Sequence, residues 1–410
     1  MLASTVAWAR DLTLAEAERL LVERNRELIA ARRAVETAGA QRVIAAARPN
    51  PTLSLNSSSI SSNPGTGAGP LNQKRIDTVL RIDQPFERGN KRELRMDAAE
   101  GLERAARGDS LDVLRTQLAQ LRAAYYDLKQ AEEKTLILGD SAQLFSRTLA
   151  AAQAREKAGD LAPAEVAKVQ VDYERAQNEA RAALAELTRA RLALGYLIGE
   201  TRAVELRAAD PWPAAFRPDA AAVERAIEQS ADARPDVVAA KARVAAAEKL
   251  RDLARSQRTR DITVGAQYER FPGTVPADSI GVGFSVPLFI GNDFSGDIQR
   301  AEVDRYAALD ALERARMVAA NEVRRAASDL NAAAERVERF NGSLLAAAQR
   351  SAQAAEFAFQ RGATSVLEVL DARRTLRAVQ IEALAARADY AKALAAWRAS
   401  LTTLETTGTK

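Results

Sequence analysis

The chain has 410 residues, of which 59 are Lys or Arg and 55 are Asp or Glu, so its formal net charge is only +4. It contains no cysteine and no histidine, which excludes disulfide scaffolds, zinc knuckles, iron–sulfur sites, thiol nucleophiles and imidazole catalysis. The charges are mixed in sign, which argues against a nucleic-acid-binding surface. Aromatic residues make up only 5%, and this composition favours long helices over several compact cores.

The first nine residues, MLASTVAWA, end in the small–x–small pattern Ala7-Trp8-Ala9 that is typical of a signal-peptidase site. The segment has no basic start and is short for an apolar signal core. Two interpretations of residues 1–9 therefore stay open, a signal-peptide remnant or an ordinary N-terminal tail. The chain has no run of 18 uncharged apolar residues, so the sequence predicts no transmembrane helix.

Two long stretches without proline predict very long helices. No proline occurs from residue 86 to 162 or after Pro287, and a proline inside a helix costs about 3 kcal/mol. The expected helices cover about 91–157 and 297–360. Leucines spaced by three and four residues, as at 111–121, are typical of a coiled-coil seam. A helix of about 65 residues would be about 100 Å long, so it must pack against other such rods.

Four segments of about nine residues alternate between apolar and polar side chains. They cover residues 52–60, 76–83, 262–270 and 279–287. Loops rich in Gly, Pro and Ser join them in pairs, which predicts two β-hairpins. Such strands can cross a bilayer when tilted, whereas a soluble sheet packed on helices would show the same alternation. Open strand edges are not tolerated in lipid, so the membrane interpretation requires several chains to combine their hairpins into one barrel.

The chain also contains two copies of one plan. PFERGNKR and PLFIGNDF share proline, glycine and asparagine residues that are each 202 positions apart, and we assign these residues to strand-to-helix junctions. They are Pro85, Gly89, Asn90, Pro287, Gly291 and Asn292. Each copy reads as helix, hairpin, very long helix, tight turn and helix. The first helices are expected at about 13–47 and 219–257, and the last at about 163–197 and 364–402. The predicted division is 10–207 for the first repeat with its hairpin at 52–84, 208–218 for a linker, 219–402 for the second repeat with its hairpin at 262–287, and 403–410 for a tail.

A tight turn is expected between the last two helices of each repeat, at 159–163 and 362–366. A glycine begins each turn, since glycine readily adopts the left-handed conformation that ends a helix. Asp160 in the first turn, and Thr364 or Ser365 in the second, could cap the helix that follows. The ten turn residues are Gly159, Asp160, Leu161, Ala162, Pro163, Gly362, Ala363, Thr364, Ser365 and Val366.

The order of these elements, the two P-x-x-x-G-N junctions and the segment GATSVLEVLDARRTL (362–376) resemble the TolC family of outer-membrane efflux channels. Within that family, three segments are most similar to the CzcC-type outer-membrane components of heavy-metal exporters. These are RPNPTLSL (48–55), FERGNKRELRMDAAE (86–100) and SVLEVLDARRTL (365–376). The resemblance extends over about 13–402.

This resemblance implies a mainly α-helical chain that forms a homotrimer in the outer membrane of a Gram-negative bacterium. Four strands per chain would build a twelve-stranded β-barrel, and the helical hairpins would build an α-barrel tunnel across the periplasm. It implies a passive channel, not an enzyme, with no cofactor. The turns would dock a periplasmic adaptor and an inner-membrane RND-type pump, and the exported substrate would be heavy-metal cations. The residues expected to face lipid are Leu80, Ile82, Ile280, Val282 and Phe284.

Two carboxylates follow the second turn. Glu368 and Asp371 are three residues apart and share one helix face. The resemblance implies that they line the closed end of the tunnel, where three chains would form carboxylate rings; a solvated helix face is the plainer alternative. The first repeat has Glu165 and Lys168 at these positions, so a ring belongs mainly to the second repeat. Three arginines could hold the closed state through ion pairs, and the sequence does not choose among them: Arg361, Arg373 and Arg374.

Other functions remain open at this level. A multidrug or other small-molecule duct would have the same fold. A soluble periplasmic coiled-coil adaptor or scaffold would share the long helices, although adaptors usually carry a lipoyl-like β-domain that is not evident here. An enzyme would need a carboxylate-only mechanism. We predict no metal site, because soft and imidazole ligands are missing and carboxylates alone would hold a hard cation only weakly.

Overall fold

The computed structural model describes residues 10–58, 76–200, 205–271, 277–361 and 363–401. The chain divides into two compact units, and each is described separately below. The helical unit comprises Met1–Arg32, Asp109–Val237 and Ala315–Lys410, and the sheet unit comprises Arg33–Gly108 and Val238–Arg314. The possible signal remnant (1–9), most of the first hairpin loop (59–75), part of the second hairpin loop (272–276), Gly362 and the tail (403–410) lie outside the described residues.

The described elements follow the same order twice along the chain. The first series is β1 (Arg10–Leu12), α1 (Leu14–Arg24), α2 (Arg26–Ala46), β2 (Thr52–Ser58), β3 (Asp77–Phe86), α3 (Lys91–Lys157) and α4 (Pro163–Leu197). The second series is β4 (Leu206–Ala208), α5 (Ala220–Ala233), α6 (Pro235–Ser256), β5 (Ile262–Phe271), β6 (Ala277–Ser285), α7 (Ser295–Arg339), a π-helical turn (Phe340–Leu344), α8 (Leu345–Gln360) and α9 (Val366–Ser400).

Both very long helices predicted from the missing prolines are present. Helix α3 has 67 residues without interruption. The second long helix contains a π-helical turn with the sequence FNGSL, which separates α7 from α8. Asn, Gly and Ser are weak helix formers, so this segment accommodates the wider turn more easily than its Ala-rich neighbours would. No helix within the described residues is both long enough and apolar enough to cross a membrane.

The first helix of each repeat is broken at one buried residue, which corrects the single helices expected at about 13–47 and 219–257. Asn25 (φ −64°, ψ 128°) separates α1 from α2, and Arg234 (φ −69°, ψ 139°) separates α5 from α6. Both have extended backbones. At the second break, Pro235 disfavours a helical conformation for Arg234. At the first, the Asn25 side chain accepts hydrogen bonds from the backbone N–H groups of Glu27 (3.0 Å) and Leu28 (3.1 Å) and so caps α2.

The core of the helical unit consists of several apolar clusters along its helices. Their largest buried members include Tyr125, Leu128, Leu194, Phe145, Val169, Leu370, Leu330, Leu394 and Trp397. The short strands β1 and β4 pair in parallel next to the first cluster; strands of three residues show no sequence period, and the sequence did not predict them. The Tyr125 hydroxyl donates to the carbonyl oxygen of Leu12 and accepts from the backbone N–H of Asp210, both at 3.0 Å, which ties the linker to α3.

The sheet unit contains a four-stranded antiparallel sheet with the order β2-β3-β5-β6. The helices attached to these strands pack in the same order. Arg92 of α3 donates to the carbonyl oxygen of Ala46 in α2 (2.7 Å), and Lys249 of α6 pairs with Asp97 of α3 (3.0 Å). An ion pair between Arg255 and Glu302 joins α6 to α7. The two hairpins therefore share one sheet through β3 and β5, and β2 and β6 are its open edges.

Candidate functional site

One face of the sheet is apolar and exposed to solvent. The register aligns Leu53, Ile82, Ala266 and Val282 in one row across the four strands, and Leu55, Leu80, Tyr268 and Ile280 in the next. The side chains of Ile280, Val282 and Phe284 are 84%, 86% and 78% exposed. Leu80 and Ile82 are less exposed because they lie on an inner strand. The structure thus brings all five residues that were expected to face lipid onto one uncovered face.

The opposite face of the sheet carries a hydrogen-bonded polar network that the sequence did not predict. The Arg81 guanidinium binds both carboxylate oxygens of Asp83 at 2.8 Å and donates to Gln267 at 3.1 Å. Gln267 in turn donates to Glu269, which accepts from Ser279 at 3.2 Å. Gly265 leaves the space that the Arg81–Asp83 pair occupies, since a Cβ there would collide with both side chains. A sheet with one apolar and one polar face is suited to separate lipid from an aqueous interior.

The first tight turn ends α3 with a glycine, as predicted. Gly159 has φ +83°, and its N–H binds the carbonyl oxygen of Glu156 at 2.9 Å. The N–H of Asp160 binds the carbonyl oxygen of Arg155 at 2.9 Å, which completes a Schellman motif. The prediction that Asp160 caps the next helix is wrong: Ala162 is the N-cap residue of α4 and makes no side-chain bond. Pro163 is the first residue of α4, a position that suits proline because its fixed φ is helical and its missing N–H has no partner within the helix there.

The second turn uses a side-chain cap. Ser365 is the N-cap residue of α9 and accepts from the N–H of Glu368 at 3.4 Å, which confirms one of the two candidates. The Thr364 hydroxyl is buried and has no hydrogen-bond partner among the described residues. The N–H of Ala363 binds the carbonyl oxygen of Ala358 at 2.9 Å, the same kind of bond that closes the first turn. Gly362 itself lies outside the described residues.

The two turns lie close together in the helical unit. Leu161 of the first turn and Val366 of the second line one cavity of about 230 Å³, together with Phe359. Below it, Leu370 of α9 packs in the same apolar cluster as Phe145 of α3 and other residues of the first hairpin. The ends of both helical hairpins therefore form one continuous surface.

The two carboxylates after the second turn are exposed on the first two turns of α9. Glu368 follows the cap, and Asp371 lines an open cavity of about 580 Å³. Lys168 and Arg175 of α4 also line this cavity, so its charge is mixed. Within the described residues, no group of three or more His, Cys, Asp or Glu side chains is arranged to hold a metal ion. The acidic pair is thus accessible from solvent, and any carboxylate ring would require further copies of the chain.

The three arginines that the sequence left as equal candidates have different partners. Arg374 of α9 forms an ion pair with Asp172 of α4, whose side chain is buried, and therefore joins the two helical hairpins. Arg373 pairs with Glu356 of α8, within the second hairpin. Arg361 lies over the ring of Phe357, 5.2 Å from its centroid. Asp172 was missed by the sequence analysis; its place in the apolar run VQVDY was the available signal.

The repeated P-x-x-x-G-N motif does not repeat its backbone. In the first copy Gly89 (φ 72°) and Asn90 (φ 55°) are both left-handed and directly precede α3. A Cβ on Gly89 would lie 2.8 Å from the side chain of Thr259, so a glycine is required there. In the second copy the left-handed residue before α7 is Phe294 (φ 60°), whose N–H binds the Asn292 side chain.

The remaining motif residues differ accordingly. Gly291 has open space around it, and its φ is not in the left-handed region. Pro85 lies within β3, paired with Thr263, whereas Pro287 follows the end of β6. The junctions therefore correspond in position but not in conformation. Residues 87–90 separate the strand from the helix in the first junction, whereas the longer segment 286–294 does so in the second.

Long helical hairpins, an internal repeat and a sheet whose apolar face is uncovered define the subunit of an outer-membrane channel. The comparisons with known proteins agree. A model of the family "Outer membrane efflux protein" matches residues 19–200 and 226–403, and the chain belongs to this family. The double match agrees with the internal repeat. The chain is therefore an outer-membrane efflux channel protein of a Gram-negative bacterium, and the predicted resemblance to the TolC family is confirmed.

Individual relatives extend this assignment. The chain is 28% identical to the cobalt-zinc-cadmium resistance protein CzcC of Cupriavidus metallidurans over 312 residues, 75% of this chain and 72% of CzcC. The Campylobacter jejuni CmeC outer membrane channel superposes with a TM-score of 0.79 at 15% identity, covering 95% of this chain and 85% of CmeC. CusC superposes with a TM-score of 0.74 at 18% identity, covering 95% and 92%. These structural likenesses show the fold.

Proposed function

We propose that three copies of this chain close into a passive channel that exports heavy-metal cations as the outer-membrane part of a tripartite RND-type efflux system. The observation that carries the proposal is the four-stranded sheet. Its apolar face is uncovered, its other face is polar, and both edge strands are open. An even number of strands in each copy allows antiparallel pairing to continue from β6 of one copy to β2 of the next. Closure then leaves no edge exposed to lipid.

The choice of heavy-metal cations rests on two observations. The relative CzcC is a cobalt-zinc-cadmium resistance protein. In a trimer, Glu368 and Asp371 would each contribute three carboxylates near the ends of the helical hairpins, and such rings attract cations. The exposure of both side chains agrees with this role. The channel would lower the barrier to cation passage, while the pump would supply both the energy and the choice of substrate.

The paired turns are the proposed docking surface for the periplasmic adaptor and the pump. Leu161, Phe359 and Val366 line an apolar cavity at this end of the hairpins, which could receive apolar side chains of a partner. The Asp172–Arg374 ion pair lies just beyond it and joins α4 to α9. Opening of the tunnel would separate these helices, so this pair is the proposed lock of the closed state, in preference to Arg361 or Arg373.

A tolerance assay tests the substrate. The chain would be expressed in a Gram-negative strain that retains a metal-exporting pump and adaptor but lacks their outer-membrane channel. Restored growth on zinc, cobalt and cadmium supports the proposal. Restored tolerance to organic compounds with no effect on metals would favour the multidrug or small-molecule duct. A chain that extracts into buffer without detergent and is not trimeric would instead be a soluble adaptor or scaffold.

Single-channel recording in planar bilayers tests the acidic rings. Glu368→Gln combined with Asp371→Asn should reduce the preference for cations over anions. Glu165→Gln, at the equivalent place in the first repeat, is the matched control and should leave selectivity unchanged. Wild-type selectivity in the double variant would show that the pair is an ordinary solvated helix face.

A further inference from the structure

A cavity of about 440 Å³ lies within the helical unit and includes none of the residues of the sheet or of the tight turns. Three segments line it: the linker between the repeats, the end of α7 with the π-helical turn that follows, and α9. Its volume is within the range of about 300–1,000 Å³ that is usual for small-molecule sites. The proposed channel function gives this cavity no role.

The π-helical turn shapes one wall of the cavity. Val337 of α7 lines it, and so do Asn341 and Gly342 of the π-helical turn. Such a turn bonds residue i to residue i+5, so it brings Gly342 toward the side on which Val337 lies. An ideal Cβ on Gly342 would have no atom within 4 Å, which shows that this wall borders open space. Single π-helical turns inside α-helices are frequent at functional sites.

Two aromatic side chains form fixed apolar walls. The Tyr390 hydroxyl of α9 donates to the carbonyl oxygen of Ala214 (2.8 Å) and accepts from the backbone N–H of Phe216 (2.6 Å). The Trp212 indole N–H donates to the carboxylate of Glu133 in α3 at 2.8 Å. Because the polar atoms of both side chains are bonded within the protein, these walls offer apolar ring surface to a ligand and are held in place before it binds.

The charge on the cavity wall is positive. Arg217 forms an ion pair with Glu338 at 2.7 Å, so the charges of these two lining residues offset each other. Arg387 of α9 also lines the cavity, is half-buried, and has no carboxylate partner among the residues that the structure describes. Its guanidinium donates to the side-chain oxygen of Asn341 at 3.2 Å. A guanidinium has several N–H donors, so others remain available to an anion.

We propose that this cavity binds a small aromatic carboxylate, with its ring against Trp212 and Tyr390 and its carboxylate on the Arg387 guanidinium. A planar guanidinium can hold a carboxylate through two parallel hydrogen bonds. An ammonium ligand would instead meet an uncompensated positive charge. The bound carboxylate would contact the linker, the π-helical turn and α9 together, and so would connect these three segments. The site requires neither a trimer nor a particular exported substrate.

Calorimetric titration of the purified protein in a non-ionic detergent tests the class of ligand. The probes share one ring system and differ in charge: naphthoate, naphthylmethanol and naphthylmethylammonium, each corrected for its titration into detergent alone. Naphthoate should bind at a single site per chain. The ammonium probe should bind at least about tenfold more weakly, since a charge-assisted contact changes affinity by that order. Absence of naphthoate binding, or equal binding of the ammonium probe, would overturn the proposal.

Two variants locate the bound probe. Arg387→Gln keeps a donor for Asn341 but removes the charge, so it should weaken naphthoate binding by about tenfold and leave the affinity for naphthylmethanol unchanged. Gly342→Phe, for which the wall has room, should fill the cavity and abolish binding of both probes. The matched control is Arg325→Gln, which removes an exposed arginine of α7 that pairs with Asp329 and should leave both affinities as in the natural protein.

Circular dichroism and light scattering of each variant verify that it keeps its helices and its oligomeric state. If Gly342→Phe does not fold, the comparison of Arg387→Gln with Arg325→Gln decides by itself. Naphthoate binding that survives in folded Gly342→Phe, or that both arginine substitutions weaken equally, would place the probe elsewhere and overturn the proposal. Either result would leave the proposed channel function intact, because metal tolerance tests that function separately.

Discussion

The two repeats break their first helix at equivalent places with different chemistry. Asn25, 3% exposed, forms a neutral network: its amide donates to the side chain of Gln117 in α3 (3.3 Å) and to the carbonyl oxygen of Leu197 (3.0 Å). Arg234, 0% exposed, forms a charged one, with hydrogen bonds to both oxygens of Asp236 (2.8 and 2.6 Å) and to Glu322 of α7 (2.6 Å). Each break is thereby attached to the long helix of its own repeat.

This difference shows what the repeated plan requires. The extended residue and its attachment to the long helix recur, whereas the chemistry of the attachment does not. A buried amide and a buried guanidinium both satisfy the backbone and side-chain groups around the break. They should nevertheless respond differently when removed, because an unpaired buried charge costs more than an unpaired amide.

Of the two breaks, the one at Arg234 should show the larger effect, and Arg234→Met tests it. The substitution removes the buried guanidinium, so Asp236 loses its hydrogen-bonded partner and Glu322 keeps only Arg115, at 3.5 Å. This should lower the free energy of unfolding by about 3 kcal/mol, at the lower end of the usual range because both carboxylates are partly solvated. Heat or urea unfolding in detergent, followed by helical circular dichroism, measures the change. Arg300→Met removes an exposed arginine from a surface pair with Asp304 and should change stability by less than about 0.5 kcal/mol.

The hairpins are a place where the two repeats should behave alike. Ile82→Arg in the first and Val282→Arg in the second each place a charge on the apolar face. If that face meets lipid near the bilayer midplane, each substitution costs about 2–4 kcal/mol. The measurement is the yield of folded protein after refolding into lipid vesicles. Ser285→Arg, on the polar face of β6, is the control; a loss for Ser285→Arg equal to that for Val282→Arg would exclude a lipid-facing role specific to the apolar side.

A smaller loss is expected at the neutral break. Asn25→Ala removes the cap of α2 and the bonds to Gln117 and Leu197, which should cost about 1–2 kcal/mol. Asn25→Asp retains acceptors for the cap but cannot donate to Leu197, so its stability should lie between those of Asn25→Ala and the natural protein. If Asn25→Ala destabilises the chain as much as Arg234→Met, the ranking of the two networks is wrong.

The smallest expected effect is a dependence of stability on pH, which the charged break at Arg234 should show and the neutral break at Asn25 should not. Burial alone would raise the pKa of Asp236, but the hydrogen bonds and charge of Arg234, with the charge of Arg115, outweigh it and hold that pKa below its usual value. The stabilisation is therefore present above the ordinary aspartate pKa and is lost as the pH falls through the lower folded value. The free energy of unfolding, measured from neutral to acidic pH, should fall less with acid in Asp236→Asn than in the natural protein. In Asn25→Ala its dependence on pH should match that of the natural protein.

Much of the architecture was predictable because its signals are local. The missing prolines predicted α3 and the helices after β6, and the alternation of side chains predicted the faces of β3, β5 and β6. Gly159 predicted the end of α3, since only the residue itself must tolerate a left-handed backbone. The break at Asn25 was not predictable in this way, because asparagine within a helical pattern is only mildly unfavourable until its amide finds Gln117 and Leu197.

The junctions and the hairpin contacts show the same limit. Identical motif letters at Gly89 and Gly291 suggested identical turns, but Thr259 packs against Gly89 and nothing packs against Gly291. The pairing of Arg374 with Asp172, rather than with a carboxylate near it in sequence, depends on which helices of the two hairpins lie side by side. Neither outcome follows from spacing along one helix.

The sequence by itself determined the repeat, the very long helices, the two-faced strands and the family, because each depends on residue types at short, regular intervals. Tertiary structure decided which arginine joins the hairpins, that the first helix of the chain breaks at Asn25, and that both hairpins share one sheet with uncovered ends. Those features depend on contacts between segments far apart in the chain. Their free energies come from burial and from hydrogen bonds that exist only after the segments have met.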